Sequence, residues 1–197
     1  MADLLDVIVL AGGEGRRMGG SDKGLVPFQS QPMVAFAVEL VRPFVDKVVI
    51  SCNRHLPDYA VLADQVVEDL LEGFQGPLAG ILAGLRVCRS DQVLVLPCDT
   101  PLLESVLIER LLDAASLAPQ SITVLSEGDK LHPLHAVIPR LLADDLERWL
   151  EGGQRAVQRW MRTHPMQLVD ISDLSEQLCN LNTFQELQSL EALKSDS

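Results

Sequence analysis

Short apolar runs alternate along the chain with longer stretches whose apolar residues recur at helical spacing. The run at 6–10 stops at Gly12, and this pattern is typical of a buried parallel strand that ends in a glycine loop. The same criteria predict further strands at 46–51, 65–68 and 93–96, and helices at 32–41, 77–87 and 104–117. This alternation of strand and helix predicts a mostly parallel sheet with helices on both faces.

The second part of the chain departs from the alternation. Strands are predicted at 121–125, 133–138 and 167–170, and helices at 139–150, 154–162 and 183–193. The first two of these strands are expected to be antiparallel or at an edge of the sheet. Thr183 and Glu186 have capping-box spacing at the start of the closing helix. Because no repeat or long linker interrupts the chain, we expect a single α/β domain.

Composition supports this expectation. A length of 197 residues is typical of one domain, and 47% hydrophobic with 22% charged residues is ordinary for a globular protein. Aromatic residues make up only 4% of the chain, so the core must consist mainly of Leu, Val, Ile and Ala.

The chain is strongly acidic. It has 28 Asp and Glu residues against 16 Lys and Arg residues, which gives a formal net charge of −12. Such a molecule repels duplex nucleic acid and anionic membranes, so we expect neither as a partner. The net charge does not exclude a small anionic ligand held in a locally basic loop, particularly together with a divalent metal.

The sequence also indicates a compartment. It contains no apolar run near the roughly 20 residues that a membrane helix needs, and residues 1–6 carry no Lys or Arg of the kind that opens a signal peptide. The four cysteines have no metal-ligand spacing, so we expect reduced thiols in a cytoplasmic protein.

The glycine loop that follows the first strand is the most informative segment. Five glycines lie between residues 12 and 20, and Arg16, Arg17 and Lys23 add three cations. Glycines allow backbone N–H groups to form an anion-binding concavity, and Arg and Lys bind phosphate oxygens. The segment matches neither the P-loop nor the dinucleotide fingerprint. A plain surface loop is the alternative, although it would need neither the apolar strand nor the cations.

Residues 10–25, which read LAGGEGRRMGGSDKGL, resemble the signature of the molybdenum cofactor guanylyltransferases of the MobA type. Further blocks similar to this family occur in the family's order at 53–55, 75–80, 97–101 and 180–183. The resemblance therefore extends over nearly the whole chain, and the order of several motifs is more specific than any one of them.

The resemblance implies a fold and a reaction. The fold would be the Rossmann-like nucleotidyltransferase fold, a single domain over 1–197 with a nucleotide-binding half at 6–117 and an acceptor-binding half at 118–193. The reaction would transfer GMP from GTP to molybdopterin carrying molybdenum, forming molybdopterin guanine dinucleotide and pyrophosphate. Magnesium would be the cofactor, with manganese as an alternative. Molybdopterin-loading proteins and apo-molybdoenzymes would be transient partners.

The resemblance also implies a site. The nucleotide side would consist of Leu10, Ala11, Gly12, Gly13, Lys23, Asn53, Asp69, Pro77, Leu78, Ala79, Gly80 and Asp99. Arg17, Lys23 and Asp99 would be catalytic, the two cations by stabilising charge on the phosphates. Asp99 follows the strand at 93–96, where a carboxylate can hold Mg²⁺ together with phosphate oxygens and water.

Three residues are assigned to the remainder of the site. Asn180 and Asn182 would complete the metal and phosphate site or contact the second substrate, and Asn182 could equally satisfy a local turn. Arg155, which follows Gly152 and Gly153, is a candidate contact for the pterin phosphate.

Several assigned residues also have a purely structural interpretation. Asp69 could be a solvated acid at a strand end, Asp99 could cap the following helix, and the segment 77–80 could be a plain strand-to-helix connection. His132 and His135 have no nearby third ligand, which favours a strand-edge or pterin-side role over a metal pair, with a purely structural role as the alternative.

Alternative functions remain at this point. A molybdopterin cytidylyltransferase, or another nucleotidyltransferase with a small acceptor, would have the same fold with different ligands. A non-catalytic carrier of molybdopterin or nucleotide belongs to another class, but it has no need of a metal-bound triphosphate, so Lys23 and Asp99 argue against it.

Overall fold

The first part of the protein is built from strands and helices in alternation. A computed structural model describes residues 5–12, 22–69 and 76–178. The elements of this part are β1 (Leu5–Leu10), β2 (Pro27–Phe28), β3 (Gln31–Pro32), α1 (Met33–Val41), β4 (Val45–Ser51), α2 (Leu56–Ala60), β5 (Gln65–Val67), α3 (Pro77–Val87), β6 (Gln92–Pro97) and α4 (Ser105–Leu117). The predicted strand and helix alternation is confirmed, and only the short elements β2, β3 and α2 were not predicted.

The second part adds β7 (Ile122–Glu127), β8 (Lys130–Pro139), α5 (Ala143–Glu151), α6 (Val157–Met161) and β9 (Met166–Asp170). The helix predicted at 139–150 begins later, because Pro139 still pairs with Gln92 at the end of β8. The helix predicted at 154–162 is shorter, because Ala156 has an extended backbone. The closing helix predicted at 183–193 lies outside the described residues.

Seven strands form one sheet in the order β5-β4-β1-β6-β8-β7-β9. Strand β8 is antiparallel to both of its neighbours, and the other strands share one direction. The expectation that β7 and β8 pair antiparallel is therefore confirmed. The alternative of an edge position is wrong, because β9 pairs with the outer side of β7.

The two faces of the sheet are covered by different helices. In β1, Val7 and Val9 pack with α1 and α4 on one face, whereas Ile8 and Leu10 pack with α3 and α5 on the other. Alternate residues of a strand point to opposite faces, so an unbroken apolar run is what a sheet covered on both sides requires.

Helix α3 lies unusually close to the sheet because of two glycines on one of its faces. A Cβ atom at Gly84 would lie 2.5 Å from both Cδ1 and Cγ1 of Ile8, and one at Gly80 would collide with the Ser51 hydroxyl. Ile8 is fully buried in the central strand and cannot move aside easily. The first turn of α3 can therefore lie over the strand ends only because Gly80 and Gly84 have no side chains.

None of the helices in the part of the chain that the structure describes is long and apolar enough to cross a membrane.

Replacing Gly84 with alanine tests this packing. We expect Gly84→Ala to lower the free energy of unfolding by up to about 2 kcal/mol, because the overpacking cost of about 1–3 kcal/mol is offset by a gain in helix propensity of only about 1 kcal/mol. Urea unfolding gives the value. In an Ile8→Ala background the added methyl group has space, so the substitution should be neutral or stabilising there. An equal cost in both backgrounds would contradict the contact.

Candidate active site

The carboxyl ends of three neighbouring strands lie level with one another. Leu10 is in register with Ser51 on one side and with Pro97 on the other. The ladder continues one residue further, since the Ala11 amide donates to the Ser51 carbonyl at 2.9 Å and the Cys98 amide donates to the Leu10 carbonyl at 3.1 Å. The chain leaves β1 towards β4 and later returns to β6 on the other side, so the strand order reverses between β1 and β6. Open α/β sheets bind ligands at such a point.

A cleft of about 130 Å³ lies at this point of the sheet. It is lined by Leu10, Ala11, Gly12, Lys23, Ser51, Asp69, Gly76, Pro77, Gly80, Pro97, Cys98, Asp99 and Leu134. Most of the described residues that the sequence assigned to a site therefore come together in one place, although they derive from five separate segments of the chain.

Lys23 and Asp99 form an ion pair in the cleft. Nζ of Lys23 lies 2.7 Å from Oδ2 of Asp99, and the two side chains are 20% and 19% exposed. The other carboxylate oxygen, Oδ1, is buried and has no hydrogen-bond partner among the described residues. A buried carboxylate oxygen without a donor is costly, so this atom is suited to a ligand that supplies positive charge.

This oxygen fits the chemistry of Mg²⁺. Magnesium prefers oxygen ligands, keeps several waters and is usually held by one or two carboxylates together with substrate phosphates. Over the described ranges, no group of three or more His, Cys, Asp or Glu side chains converges into a dedicated metal cage. Asp99 is therefore the described residue best suited to hold the metal, through Oδ1, while Lys23 occupies Oδ2.

The alternative that Asp99 caps the next helix is wrong. Helix α4 begins at Ser105, and the residue at its N-cap is Glu104. The carboxylate of Asp99 belongs to the turn before that helix and points at Lys23 instead.

A second polar pair stands at the neighbouring strand ends. Nδ2 of Asn53 donates to Oδ2 of Asp69 at 2.8 Å, and the Asp69 amide donates to Oδ1 of Asn53 at 2.9 Å. Burial raises the pKa of Asp69 above its ordinary value, and the hydrogen bond from Asn53 offsets part of this effect. Asp69 is thus a half-buried, oriented carboxylate that lines the cleft, which does not agree with a freely solvated acid.

The segment that opens α3 contributes to the cleft through only some of its residues. Gly76 has φ of +76°, a conformation that favours glycine, and Pro77 follows in the first helical turn. Pro77 and Gly80 line the cleft, whereas the side chains of Leu78 and Ala79 are buried in the core. Any contact of the latter two with a nucleotide would have to use backbone groups.

Arg155 does not lie in the cleft. Its Nη1 atom donates to the carbonyl oxygens of Leu150 and Gln154, at 2.7 and 2.8 Å, which holds the guanidinium against the end of α5. The remaining assigned residues, Gly13, Arg17, Asn180 and Asn182, lie outside the described residues, and their roles stay predictions.

Two residues that line the cleft lie outside every segment to which the sequence assigned a site. Ser51 ends β4, and Leu134 comes from the middle of the antiparallel strand β8. The register of β1 with β4 would have pointed to Ser51, because it is level with Leu10. Nothing in the spacing of β8 indicates that Leu134 reaches the cleft.

His135, next to Leu134, is buried, and its Nε2 lies 3.1 Å from the Thr100 hydroxyl. Burial lowers the pKa of His135 to about 3, with a smaller contribution from His132. The imidazole is therefore neutral near pH 7. Of the interpretations that the sequence left open, a structural role agrees with this environment, and a strand-edge role does not, because β8 lies between β6 and β7.

Comparison with known proteins agrees with the geometry. The family model described as the MobA-like NTP transferase domain matches residues 7–168. The molybdenum cofactor guanylyltransferase of Ectopseudomonas mendocina is 42% identical over 191 residues, which cover 97% of this chain and 93% of that protein. The protein of the same name from Pseudomonas aeruginosa is 41% identical over 188 residues, which cover 95% of each chain.

A solved structure supports the same assignment. The crystal structure of molybdopterin-guanine dinucleotide biosynthesis protein A from Archaeoglobus fulgidus has a TM-score of 0.80 and 25% identity, covering 98% of this chain and 100% of that chain. The fold and the matched family define the protein as a nucleotidyltransferase, as the resemblance implied. The chain belongs to the MobA-like NTP transferase family.

Acid should destabilise the protein through His135. Because its pKa is about 3 in the folded protein and 6.5 when unfolded, the stabilisation is complete above pH 6.5 and is lost as the pH falls towards 3. Urea unfolding between pH 4 and 7 should give a slope that is smaller in His135→Gln, by up to about 1.4 kcal/mol per pH unit. Thr100→Val should keep the slope, since burial is the main cause of the shift. Equal slopes in wild type and His135→Gln would contradict this origin.

Proposed function

We propose that the protein transfers GMP from GTP to molybdopterin carrying molybdenum, forming molybdopterin guanine dinucleotide and pyrophosphate. The observation that carries this proposal is the Lys23–Asp99 pair in the cleft at the reversal of strand order, where the second carboxylate oxygen of Asp99 has no partner among the described residues. The names of the relatives at 41–42% identity support guanine as the base and the molybdenum cofactor as the acceptor.

In this reaction a terminal phosphate oxygen of the acceptor attacks the α-phosphorus of GTP. The new bond joins that oxygen to the α-phosphorus, and the bond from the α-phosphorus to the bridging oxygen of the β-phosphate breaks, so pyrophosphate leaves. The protein contributes position and charge rather than a covalent intermediate. Cys98, the thiol nearest to Asp99 in sequence, is no candidate nucleophile, because burial raises its pKa to about 12.

Lys23 and Asp99 have complementary roles in this proposal. A Mg²⁺ ion held there would supply positive charge that offsets the charge of the leaving pyrophosphate. Asp99 would hold that ion through Oδ1, and Mn²⁺ could replace it. Lys23 would present its ammonium group to the phosphates from its place beside Asp99, where a cation stabilises the developing negative charge. Arg17 is proposed as a further cation on the same triphosphate.

The nucleoside would lie over the strand ends. Backbone groups of Leu10, Ala11 and Gly12 are proposed to contact it, and the oriented carboxylate of Asp69 is suited to accept hydrogen bonds from the ribose or the base. Asn53 would fix that carboxylate. We propose the half at 6–117 as the nucleotide-binding half.

The acceptor would approach from the other half, at 118–193, from which Leu134 already reaches the cleft. Asn180 and Asn182 are proposed to contact the acceptor or the phosphates, and Arg155 the pterin phosphate. This last role requires Arg155 to leave its carbonyl partners.

We propose the cytoplasm as the compartment, in agreement with the free thiols of Cys52, Cys88 and Cys98. Molybdopterin-loading proteins and apo-molybdoenzymes are proposed as transient partners.

Pyrophosphate release tests the function directly. With Mg²⁺ and molybdenum-loaded molybdopterin, we expect release with GTP and little with CTP, ATP or UTP, and no release when the pterin is omitted. Release with CTP alone would overturn the choice of base but keep the class of reaction. Folded protein that binds GTP and releases no pyrophosphate with any nucleotide would favour a carrier.

Replacing Asp99 tests the metal assignment. We expect Asp99→Asn to lower kcat by about 10²–10³-fold, because the neutral amide binds Mg²⁺ poorly, while GTP binding measured by calorimetry without metal persists. Asp91→Asn is a matched control, since Asp91 is fully exposed just before the opposite end of β6. Unchanged turnover in Asp99→Asn would contradict the assignment.

A further inference from the structure

The side chain of Tyr59 packs against the segment that carries Lys23. It is a fully buried residue of α2, a helix that the sequence did not predict. Its side chain meets the residues on both sides of Lys23, namely Asp22 and Gly24. No catalytic role requires a buried tyrosine here, so the contacts themselves need an explanation.

The first contact is a hydrogen bond. The Tyr59 hydroxyl donates to Oδ1 of Asp22. Burial and this bond to a carboxylate both raise the pKa of Tyr59 well above its ordinary value, so the phenol stays protonated and remains a donor. A bond from a buried donor to a charged acceptor is stronger than one between neutral groups, and it fixes the residue that precedes Lys23.

The second contact is steric. Gly24 is buried, and a Cβ atom there would collide with the Tyr59 hydroxyl and lie 3.1 Å from its Cε1 atom. The absence of a side chain at Gly24 thus allows the backbone to rest on the phenol. A tight turn joins the two anchored residues, since the Leu25 amide donates to the Asp22 carbonyl at 3.1 Å.

Tyr59 is itself held in place. Its amide donates to the carbonyl of His55, which has a left-handed backbone with φ of +54°, and its carbonyl accepts from Leu62. The ring packs in the same core cluster as Val9, Cys52 and Cys98, which belong to or follow the strands that form the cleft. The phenol therefore holds the Lys23 segment in a fixed position relative to the sheet.

We propose that Tyr59 is a positioning residue that places the Lys23 ammonium group opposite Asp99 by anchoring Asp22 and Gly24 together. This inference rests on the proposed function, in which Lys23 acts on the triphosphate. With both neighbours fixed, the Lys23 side chain spans the cleft to reach Asp99 at 2.7 Å. Displacement of a charged group by about 1 Å is enough to lower a rate about 100-fold.

A double-mutant cycle tests the proposal. We expect Tyr59→Phe to lower kcat about 10- to 100-fold with a much smaller change in KM for GTP. In a Lys23→Met background, Tyr59→Phe should change kcat little further, because the group that it positions is gone. A merely structural role would instead lower kcat by the same factor in both backgrounds, and that additivity would overturn the proposal.

Two measurements keep this test independent of folding and of the proposed function. Thr123→Val removes another fully buried hydroxyl, on β7, which contributes no residue to the lining of the cleft, and it should leave kcat unchanged. If wild-type protein releases no pyrophosphate, the proposed function fails, and the Kd of GTP is measured in the same four proteins instead. Weaker binding in Tyr59→Phe only when Lys23 is present would still support positioning, and equal effects in both backgrounds would overturn it.

Gly24→Ala approaches the same contact from the other side. Its methyl group should push the segment off the phenol and lower kcat about 10-fold or more. Combining it with Tyr59→Phe removes the hydroxyl that the methyl group strikes, so the double variant should recover part of that loss. A double variant whose loss equals the product of the two single losses would contradict the contact.

Discussion

The level ends of β1, β4 and β6 are the constraint on which the rest of the site depends. Parallel pairing in register brings Leu10, Ser51 and Pro97 to one line, so the residues that follow each strand enter the same cleft. Lys23 and Asp99 are 76 positions apart in sequence, and only this register makes their ion pair possible. Gly80 lets α3 come close to the same line, which closes one wall of the cleft without filling it.

Local chemistry explains which features the sequence could predict. Pro77 at the first turn of α3 and the extended backbone of Cys88 after its end fix both ends of that helix, and the predicted range 77–87 is the observed one. The unbroken apolar run of β1 likewise indicated burial on both faces. Gly12, Lys23 and Asp99 were correctly predicted to lie at the carboxyl edge of the sheet, because the order of residues shows which of them follow a strand.

Features that depend on tertiary contacts could not be predicted in this way. Helix α2 has only five residues, too few for a periodic pattern, and it is held by the packing of Tyr59. The interior position of β7 depends on β9, which pairs with it from a distant part of the chain. Two further features depend on how α3 and β5 pack against the rest of the protein, and residue spacing in the sequence does not predict them. These are the reciprocal hydrogen bonds of Asn53 and Asp69, and the burial of Leu78 and Ala79 beside exposed Pro77.

The scarcity of aromatic residues gives Tyr59 an additional use. It is the sole tyrosine of the 197-residue chain, and it lies directly beneath the segment that carries Lys23. Every tyrosine ring signal of the chain therefore belongs to Tyr59 and can be assigned without any substitution. Biosynthetic incorporation of fluorotyrosine would label this one ring with fluorine. The proposed binding of a nucleotide at Lys23 could then be followed through the ¹⁹F signal of Tyr59.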